Sequence, residues 1–254
     1  MPGVTVTKMH GTLNDFIVVD QRPQTIADFS LFAVRYCDRR GGIGADGVIV
    51  LLPSERADAC MRVFNADGSE AEMCGNGARC AALLLCDRGM GTRIAFDTLA
   101  GTVVAQVLED RQVRVNLGVP RFQPSPAHLE RAEFVSIGNP HVVYFTKSPD
   151  EADLETLARA HPHANVHVAG VLDSEHMRVR HFERGVGYTH SCGTGAVACA
   201  AAAMRRRMVG NRVDVAVPGG HVLVEWDGEH EAFLTGPAVK VFEAVVQDAD
   251  AIPV

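Results

Sequence analysis

An internal duplication is the feature that most constrains how this chain can fold. The segment Cys74–Ala78 (CGNGA) returns 118 residues later as Cys192–Ala196 (CGTGA). The same offset separates Phe64 from Phe182, each of which ends a strand-like segment. The repeats of a solenoid are about 20–50 residues long, so a repeat of this length indicates two related domains instead.

Each half of the sequence is rich in strand-like segments around one alanine-rich helix. Apolar patterns predict strands over 16–19, 47–52, 61–64, 102–108, 112–117, 141–145, 166–171, 177–182, 213–217, 221–226 and 232–235. Helix-forming residues predict central helices over 81–86 and 196–204, with further helices over 25–36 and 150–160. The predicted fold class is α/β of the α+β type: two pseudo-symmetric domains, each a strand-rich, barrel-like unit around a central helix.

The boundary between the two domains is predicted in a proline-rich stretch. Pro120, Pro124 and Pro126 lie between the last matched strand of one half and the first of the other. Such stretches commonly link domains. We therefore expect domains over 1–122, with Cys74, and 123–254, with Cys192, joined by a linker over 120–128. The last strand of the chain could instead pack on the first half.

Both cysteines of the duplicated motif are predicted to lie at helix N-termini. In each copy the cysteine precedes two glycines spaced for a tight turn, and an alanine-rich run follows. Unpaired backbone N–H groups and the positive end of the helix dipole favour a thiolate at such a position, and they also bind anions such as a carboxylate. Two activated thiols and two anion-binding turns are the resulting hypothesis.

Charge and composition limit the class of partner. A net charge of −7 and a pI near 5.9 argue against nucleic acid and anionic membranes, because both would select a basic surface. The sequence has no apolar run of about 18 residues and no signal-peptide pattern over 1–20, so we expect a cytoplasmic protein with a small-molecule partner. Its seven cysteines are odd in number and form no C-x-x-C pair, which indicates reduced thiols.

The scarcity of lysine bears on the choice of cofactor. Lys8, Lys147 and Lys240 are the only lysines, and none lies in a segment with the character of a site. Pyridoxal phosphate enzymes need a Schiff-base lysine. We therefore expect no such cofactor, and the sequence gives no reason to expect a metal.

Six short segments, in order along the chain, carry a family resemblance. They are Lys8–Phe16 (KMHGTLNDF), Phe64–Glu70 (FNADGSE), Met73–Arg79 (MCGNGAR), Gly138–His141 (GNPH), Glu183–Gly187 (ERGVG) and Ser191–Gly195 (SCGTG). Together they resemble the diaminopimelate epimerases over nearly the whole chain. The resemblance implies a cofactor-independent isomerase with its active site in the cleft between two pseudo-symmetric domains. It implies conversion of LL-diaminopimelate to meso-diaminopimelate, on the route to lysine and bacterial cell-wall precursors.

The reaction implied by this resemblance explains the paired cysteines. Inverting a Cα centre without a cofactor requires removal of a proton from one face and return of a proton to the other, so two groups must flank the carbon. Cys74 and Cys192 can serve as thiolate and thiol in either order. The substrate carboxylate would accept hydrogen bonds from the backbone N–H groups of both helix N-termini, which stabilise the developing negative charge. These groups belong to Gly75, Asn76, Gly193 and Thr194.

The resemblance also implies further site residues. Asn14, Asn65, Asn139 and Asn165 match the substrate-binding asparagines of the family, and Glu183 with Arg184 match its Glu-Arg pair. A guanidinium suits a distant carboxylate, which makes Arg184 the expected clamp. His141 and Glu183 match positions that tune the two cysteines, and Phe242 matches a dimer-interface position, so a homodimer is expected. Taken singly, Asn65 and Asn139 are equally compatible with turn residues, and His141 with a structural histidine.

Departures from the family pattern keep other substrates open. Gly47 stands where some members carry a substrate-contacting glutamine, Tyr188 stands where a glutamate is usual, and Leu13 replaces a usual glycine. The alternative is a related two-cysteine racemase acting on histidine or hydroxyproline. Thiol–disulfide exchange would prefer adjacent cysteines, and a non-catalytic anion-binding module leaves the duplicated cysteine unexplained.

Overall fold

The chain folds as two compact units. The computed structural model of the protein describes residues 3–22, 26–124 and 132–247. The first unit comprises Met1–Val115 with Pro237–Val254, and the second comprises Asn116–Gly236. The sequence predicts a second domain over 123–254, whereas the segment that begins at Pro237 lies in the first unit. The reason is a strand in that segment that pairs with the first strand of the chain.

The first unit is built of strands β1–β8 and β18 with two helices. Their bounds are β1 Gly3–Gly11, β2 Asn14–Asp20, α1 Phe29–Cys37, β3 Gly47–Leu52, β4 Ala59–Asn65, β5 Glu70–Ala71, α2 Gly75–Asp87, β6 Arg93–Thr98, β7 Gly101–Val107, β8 Val113–Asn116 and β18 Val239–Gln247. β1 is antiparallel to both β18 and β2, β2 is parallel to β3, and β3 is antiparallel to β4. β4 is antiparallel to β5 and parallel to β6, and β6, β7 and β8 follow as antiparallel neighbours.

The second unit repeats this arrangement strand for strand. Its elements are β9 Arg121–Gln123, β10 Ala132–Ile137, β11 Asn139–Phe145, α3 Leu154–Ala160, β12 Asn165–Val171, β13 His176–Glu183, β14 Gly187–Thr189, α4 Gly193–Arg205, β15 Arg212–Val217, β16 Gly220–Glu225 and β17 Phe233–Gly236. β10 is antiparallel to β9 and β11, β11 is parallel to β12, and β12 is antiparallel to β13. β13 is antiparallel to β14 and parallel to β15. β15, β16 and β17 then pair in order as antiparallel neighbours. The predicted pseudo-symmetry is confirmed.

The strand registers equate individual positions of the two units. β2 and β3 pair Phe16 with Gly47, and β11 and β12 pair His141 with Asn165. β3 and β4 pair Ile49 with Val63, whereas β12 and β13 pair His167 with His181. The offset of 118 residues separates Gly47 from Asn165, Ile49 from His167 and Val63 from His181, whereas Phe16 and His141 are 125 residues apart. The sequence repeat is therefore also a repeat of register, with a longer connection between the first two of these strands in the first unit.

One alanine-rich helix forms the centre of each unit. All residues of α2 from Gly75 to Leu85 are buried, and α2 packs on β1, β2, β6 and β7. In α4 the residues Ala196–Ala203 are all buried, and it packs on β10, β11, β12 and β13. A helix that is apolar on every side belongs in a core. Both helices begin earlier than the predicted 81 and 196, because each starts directly after its cysteine.

The other predicted elements are confirmed with changed bounds. The helix predicted over 25–36 is α1, which begins after Asp28, whose carboxylate accepts a hydrogen bond from the Leu31 N–H. The helix predicted over 150–160 begins only at Leu154, after a 3₁₀ turn at Pro149–Glu151. Part of the predicted linker is strand β9, and residues 125–128 of that linker lie outside the described residues. Among the helices of the described residues, none is long and apolar enough to cross a membrane.

Candidate functional site

Cys74 is the N-cap residue of α2. Its backbone is extended, with φ −138° and ψ 117°, and its Sγ accepts a hydrogen bond from the Gly77 N–H at 3.4 Å. A Cβ at Gly77 would come within 2.9 Å of the Ile49 side chain, so glycine lets the first helical turn lie directly on β3. The first N–H groups of a helix have no acceptor within the helix. The backbone amides of Gly75 and Asn76 lie in this first turn, directly after Cys74.

A hydrogen-bonded network orders the side chains around Cys74. Asn76 donates from Nδ2 to Asn14 Oδ1 at 3.0 Å, and Cys74 Sγ lies 4.0 Å from the same oxygen. Arg79 donates to Asn76 Oδ1 at 2.9 Å and to Thr12 Oγ1 at 3.1 Å. The side chain of Arg79 is fully buried. The structure thus brings three predicted site residues, Asn14, Cys74 and Asn76, together over a buried guanidinium that the sequence analysis does not identify.

A group of charged residues fixes the other side of Asn14. Asn14 Nδ2 donates to Asp46 at 2.8 Å, and Arg39 bridges Asp46 and Asp15 with contacts of 2.8 Å to each. Lys8 also donates to Asp15, at 2.6 Å. Although burial opposes it, hydrogen bonds from Arg39 and Lys8 lower the pKa of Asp15 to about 2. Asn14 is therefore held from two directions, by Asn76 and by Asp46.

Cys192 occupies the equivalent N-cap of α4. Its backbone is again extended, with φ −124° and ψ 107°, and its Sγ lies 3.7 Å from Thr194 Oγ1. Burial, followed by the negative charge of Glu183, raises the pKa of the Cys192 thiol well above its usual value. The sequence analysis expects the helix N-terminus to favour a thiolate here. At Cys192, desolvation and the neighbouring carboxylate therefore act against the helix N-terminus.

Glu183 is the last residue of β13, and Arg184 begins the turn that leads to β14. Thr189 donates its hydroxyl to Glu183 at 2.6 Å, and the Arg184 backbone N–H donates to Asn165 Oδ1 at 2.9 Å. The guanidinium of Arg184 belongs to an exposed side chain. Asn165 therefore sets the path of the turn that carries Arg184.

Three buried histidines form a chain on neighbouring strands of the second unit. His141 Nε2 lies 2.7 Å from Asn139 Oδ1, His141 Nδ1 lies 2.8 Å from His167 Nε2, and His167 Nδ1 lies 2.9 Å from His181 Nδ1. An amide oxygen only accepts, so His141 carries its proton on Nε2, and the same alternation places protons on His167 Nε2 and His181 Nδ1. His181 Nε2 is then an acceptor, and it is buried without a hydrogen-bond partner among the described residues.

Burial lowers the pKa of all three imidazoles. The pKa values of His141 and His181 fall to about 3, and that of His167 falls well below its usual value, with the neighbouring histidines adding to the effect on His141 and His167. The three rings are therefore neutral near pH 7. A Cβ at Gly195 would meet the His167 ring at 2.5 Å, so α4 lies directly on this chain.

Among the described residues, His141, His167 and Cys192 form a group that could hold a metal ion. One ligand atom from each lies within 4.8 Å of the others. No metal is expected from the sequence, where neither His167 nor His181 belongs to a predicted site. The duplication is the sequence feature that could have identified them. Its offset aligns His167 with Ile49 and His181 with Val63, and both of these first-half residues are apolar.

Several other predicted positions lie apart from these networks. Asn65 ends β4 in a turn, where its side chain donates to Ser69 Oγ at 2.9 Å and its backbone bonds to Ser69 and Gly68. A Cβ at Gly47 would lie 2.6 Å from the Phe64 carbonyl oxygen, which explains the absence of a larger residue there. Tyr188 is half exposed, and its ring packs edge-on against Phe182 at 5.1 Å.

Comparison of the sequence with known proteins identifies a family. The family model described as diaminopimelate epimerase matches residues 6–123 and 133–241. The chain is 40% identical to the diaminopimelate epimerase of Pelotomaculum thermopropionicum, over 93% of this chain and 96% of that protein. It is 42% identical to the diaminopimelate epimerase of Methanothrix thermoacetophila, over 95% of each.

Solved structures share the fold at low sequence identity. A hydroxyproline epimerase from Agrobacterium vitis, solved with bound trans-4-hydroxy-L-proline, superposes with a TM-score of 0.70 at 17% identity, covering 96% of this chain and 92% of that one. A Bacillus anthracis protein of the PhzF phenazine biosynthesis family superposes with a TM-score of 0.76 at 21% identity, covering 97% and 99%. The sequence matches, and the repeated cysteine-capped helices that accompany them, show that the chain belongs to the diaminopimelate epimerase family.

Proposed function

We propose that this chain interconverts LL- and meso-diaminopimelate with Cys74 and Cys192 as its two acid–base groups and without a cofactor. The observation that carries the proposal is the repeated N-cap: each unit presents one cysteine at the start of a buried helix, on the same strand framework. One thiolate removes the Cα proton, and one thiol returns a proton to the opposite face. Reversal of the substrate reverses the two roles.

The surroundings of the two cysteines support an assignment of their resting states. Burial lowers the pKa of Arg79, and a negative charge on the Cys80 or Cys74 sulfur would oppose that effect. By reciprocity, the buried guanidinium stabilises negative charge on the Cys74 sulfur. The equivalent helical position in α4 is the apolar Val197, and there the nearby charge is the carboxylate of Glu183. Cys74 is the resting thiolate and Cys192 the resting thiol in this proposal.

The polar side chains around the cysteines fit a substrate with amino-acid head groups. The backbone amides of Gly75, Asn76, Gly193 and Thr194 would hold the carboxylate at the reacting centre. The oxygens of Asn139 and Asn165 already accept protein hydrogen bonds, which leaves their amide N–H groups to donate to a second carboxylate. Arg184 completes the binding of that carboxylate. We assign Asn14 and Asn65 to the substrate as well, and His141 and Glu183 to tuning Cys192.

Substitution of each cysteine tests the proposal. Cys74→Ala and Cys192→Ala should both abolish epimerisation of diaminopimelate, measured by loss of optical rotation. Cys60→Ala is the matched control, because Cys60 lies on β4 outside either motif and should leave turnover unchanged. Substantial turnover in either of the first two variants would contradict the two-cysteine mechanism.

A substrate panel separates diaminopimelate from the alternative substrates. An analogue that lacks the second head group leaves buried polar groups unpaired, at about 1–3 kcal/mol for each. Diaminopimelate should therefore react far faster than lysine, histidine, proline or hydroxyproline, and Arg184→Ala should remove most of that preference. If histidine or hydroxyproline reacted fastest, the substrate assignment would fall and the cysteine mechanism would stand.

We also propose that the protein is a cytoplasmic homodimer. β18 supports a dimer contact, because Val241, Phe242 and Val245 are exposed by 55%, 42% and 70% of their side-chain surface. An exposed apolar strand of this kind is typical of a protein–protein contact. Light scattering at assay concentration should give the mass of two chains, and Phe242→Asp should shift it toward one.

A further inference from the structure

The histidine chain beneath Cys192 replaces apolar side chains that the first unit keeps at the same places. The strand registers equate His141 with Phe16, His167 with Ile49 and His181 with Val63. The three apolar residues are buried, and the first unit forms the same strands and helix around them. The fold therefore does not need histidine at any of these positions. Three such replacements in mutual contact indicate a chemical role.

The thiol of Cys192 lies beside two of these histidines, His141 and His167. One ring nitrogen of His141, one of His167 and Sγ of Cys192 lie within 4.8 Å of one another. In a tetrahedral zinc site, bonds of about 2.0 Å to imidazole and about 2.3 Å to thiolate put the ligand atoms roughly 3.3–3.5 Å apart. The 2.8 Å between His141 Nδ1 and His167 Nε2 would have to widen by about 0.5 Å to reach that spacing. The three ligand atoms, which lie within 4.8 Å of one another, would also have to close to the tetrahedral spacing, so side-chain movements of up to about 1.3 Å are needed.

The other nitrogen of His141 already donates to an acceptor, and that of His167 lies beside a nitrogen that becomes its acceptor once the proton on His181 Nδ1 has moved. A ligating histidine normally donates its second N–H to a fixed acceptor, which sets its tautomer. His141 Nε2 has Asn139 Oδ1 at 2.7 Å, and His167 Nδ1 has His181 Nδ1 at 2.9 Å. The nitrogens left to bind a metal are His141 Nδ1 and His167 Nε2, which face each other.

We propose that His141, His167 and Cys192 form a binding site for a divalent metal ion of the zinc class, with His181 as the positioning residue that holds His167 in its ligating tautomer. Two imidazoles and a thiolate favour Zn²⁺ and its analogue Co²⁺ over Mg²⁺ and Ca²⁺, which prefer oxygen ligands. The first unit offers Cys74 no such partners, because Phe16 and Ile49 stand at the equivalent positions. The site is therefore specific to the second cysteine.

Protons balance when the metal binds. The Cys192 S–H proton is released to solvent as the thiolate forms its bond to the metal. The proton on His167 Nε2 must leave that nitrogen, and the proton on His181 Nδ1 passes to His167 Nδ1. His181 then takes one proton on Nε2, for which the described part of the chain offers no hydrogen-bond partner, and remains neutral. One proton per metal ion reaches the solvent.

Occupation of the site would remove the thiol that the proposed reaction uses. This consequence rests on the catalytic role proposed for Cys192, whereas metal binding itself does not. Zn²⁺ should abolish turnover, and a chelator should restore it.

Titration of the reduced full-length protein with Co²⁺ tests the site directly, because a cobalt–thiolate bond absorbs in the near ultraviolet. The wild type and Cys74→Ser should both give this absorption with one equivalent of Co²⁺, and Cys192→Ser should lose it. Cys74→Ser is the matched control, since the two cysteines occupy the same N-cap. Equal absorption from Cys192→Ser, or none from the wild type, would overturn the proposal.

Substitutions copied from the first unit test the histidines. His167→Ile and His181→Val introduce the residues that occupy the equivalent buried positions in the first unit, and thermal melting checks that each variant folds. Competition with Zn²⁺ should show affinity at least tenfold weaker in His167→Ile, and weaker by about 10–100-fold in His181→Val, as for other outer-shell partners. The exposed His230→Asn should bind as the wild type does. Unchanged affinity in His181→Val would contradict the role of that residue, and binding without inhibition would instead contradict the role proposed for Cys192.

Discussion

Leu13 holds a backbone conformation that leucine disfavours, directly beside a site residue. Thr12 and Leu13 have φ values of 50° and 62° and form the two-residue turn between β1 and β2, immediately before Asn14. Such a turn requires positive φ at both central residues. The left-handed conformation costs an L-residue other than glycine about 1–2 kcal/mol. The leucine that stands at position 13 in place of the usual family glycine therefore strains the backbone locally.

Replacement of Leu13 by glycine should release part of this strain. Leu13→Gly is expected to raise the free energy of unfolding by about 1 kcal/mol, measured by urea denaturation. Leu172 is the matched control, because it is similarly exposed and is not among the described residues with positive φ. Leu172→Gly should give no increase. A loss of stability in Leu13→Gly would show that the side chain contributes more than its backbone costs.

At the scale of elements, the three histidines make the strands of the second unit sensitive to acid. Burial lowers the pKa of His141 and His181 to about 3, from an ordinary value near 6.5. As the pH falls below about 6.5, the unfolded chain binds protons that the folded chain does not bind. The stabilisation is complete above the unfolded pKa and is lost as the pH falls toward 3. Each histidine should lower the free energy of unfolding by about 2 kcal/mol between pH 7 and pH 5.

His181→Val should reduce this acid sensitivity. With a chelator present, the drop in the free energy of unfolding between pH 7 and pH 5 should be smaller in the variant than in the wild type by about 2 kcal/mol. Val63, its counterpart in the first unit, shows that valine fits this position of the framework. The exposed His176→Asn is the control. An identical pH dependence in wild type and His181→Val would mean that the native chain takes up the same proton.

Local sequence predicts some elements better than others. The cysteine-capped helices follow from a signal within about ten residues, namely a capping cysteine, two glycines and an alanine run. The strands β1, β6 and β10 are not predicted, because their mixed polar composition becomes strand only through pairing with neighbours. The histidine chain depends on the lateral register of three strands, which no single segment specifies. Arg79 ends the segment Met73–Arg79 that carries the family resemblance, but its burial and its contacts with Asn76 and Thr12 depend on tertiary packing.

At the scale of the whole molecule, the C-terminal strand completes the first unit. β18 pairs with β1 from Gly3↔Gln247 to His10↔Val239, and Arg79 donates to the Pro237 carbonyl oxygen at 3.2 Å. In the second unit the equivalent neighbour of β10 is β9, which precedes it in sequence. The duplication is therefore offset by one strand, and the last strand packs on the first half, which is the alternative that the sequence left open.

Deletion of 237–254 should loosen the first unit and spare the second. We expect hydrogen exchange at the β1 amides to accelerate, while β10 keeps its protection because both of its partners remain. Deletion of 248–254 alone is the control and should leave β1 protected. Equal acceleration in β1 and β10 would mean that the two units do not unfold independently.

The most direct measurement of the two-cysteine mechanism is the position of deuterium after a small fraction of a turnover cycle in heavy water. A thiol carries a single exchangeable proton, so the group that protonates the product holds solvent deuterium, whereas the group that deprotonated the substrate holds the substrate's own proton. Starting from LL-diaminopimelate, mass spectrometry should find deuterium at Cα of the meso product and almost none in the recovered LL substrate, with the mirror result from the meso isomer. Equal deuterium in recovered substrate and product, or product that retains the original proton, would contradict the assignment of Cys74 and Cys192 to opposite faces of the carbon.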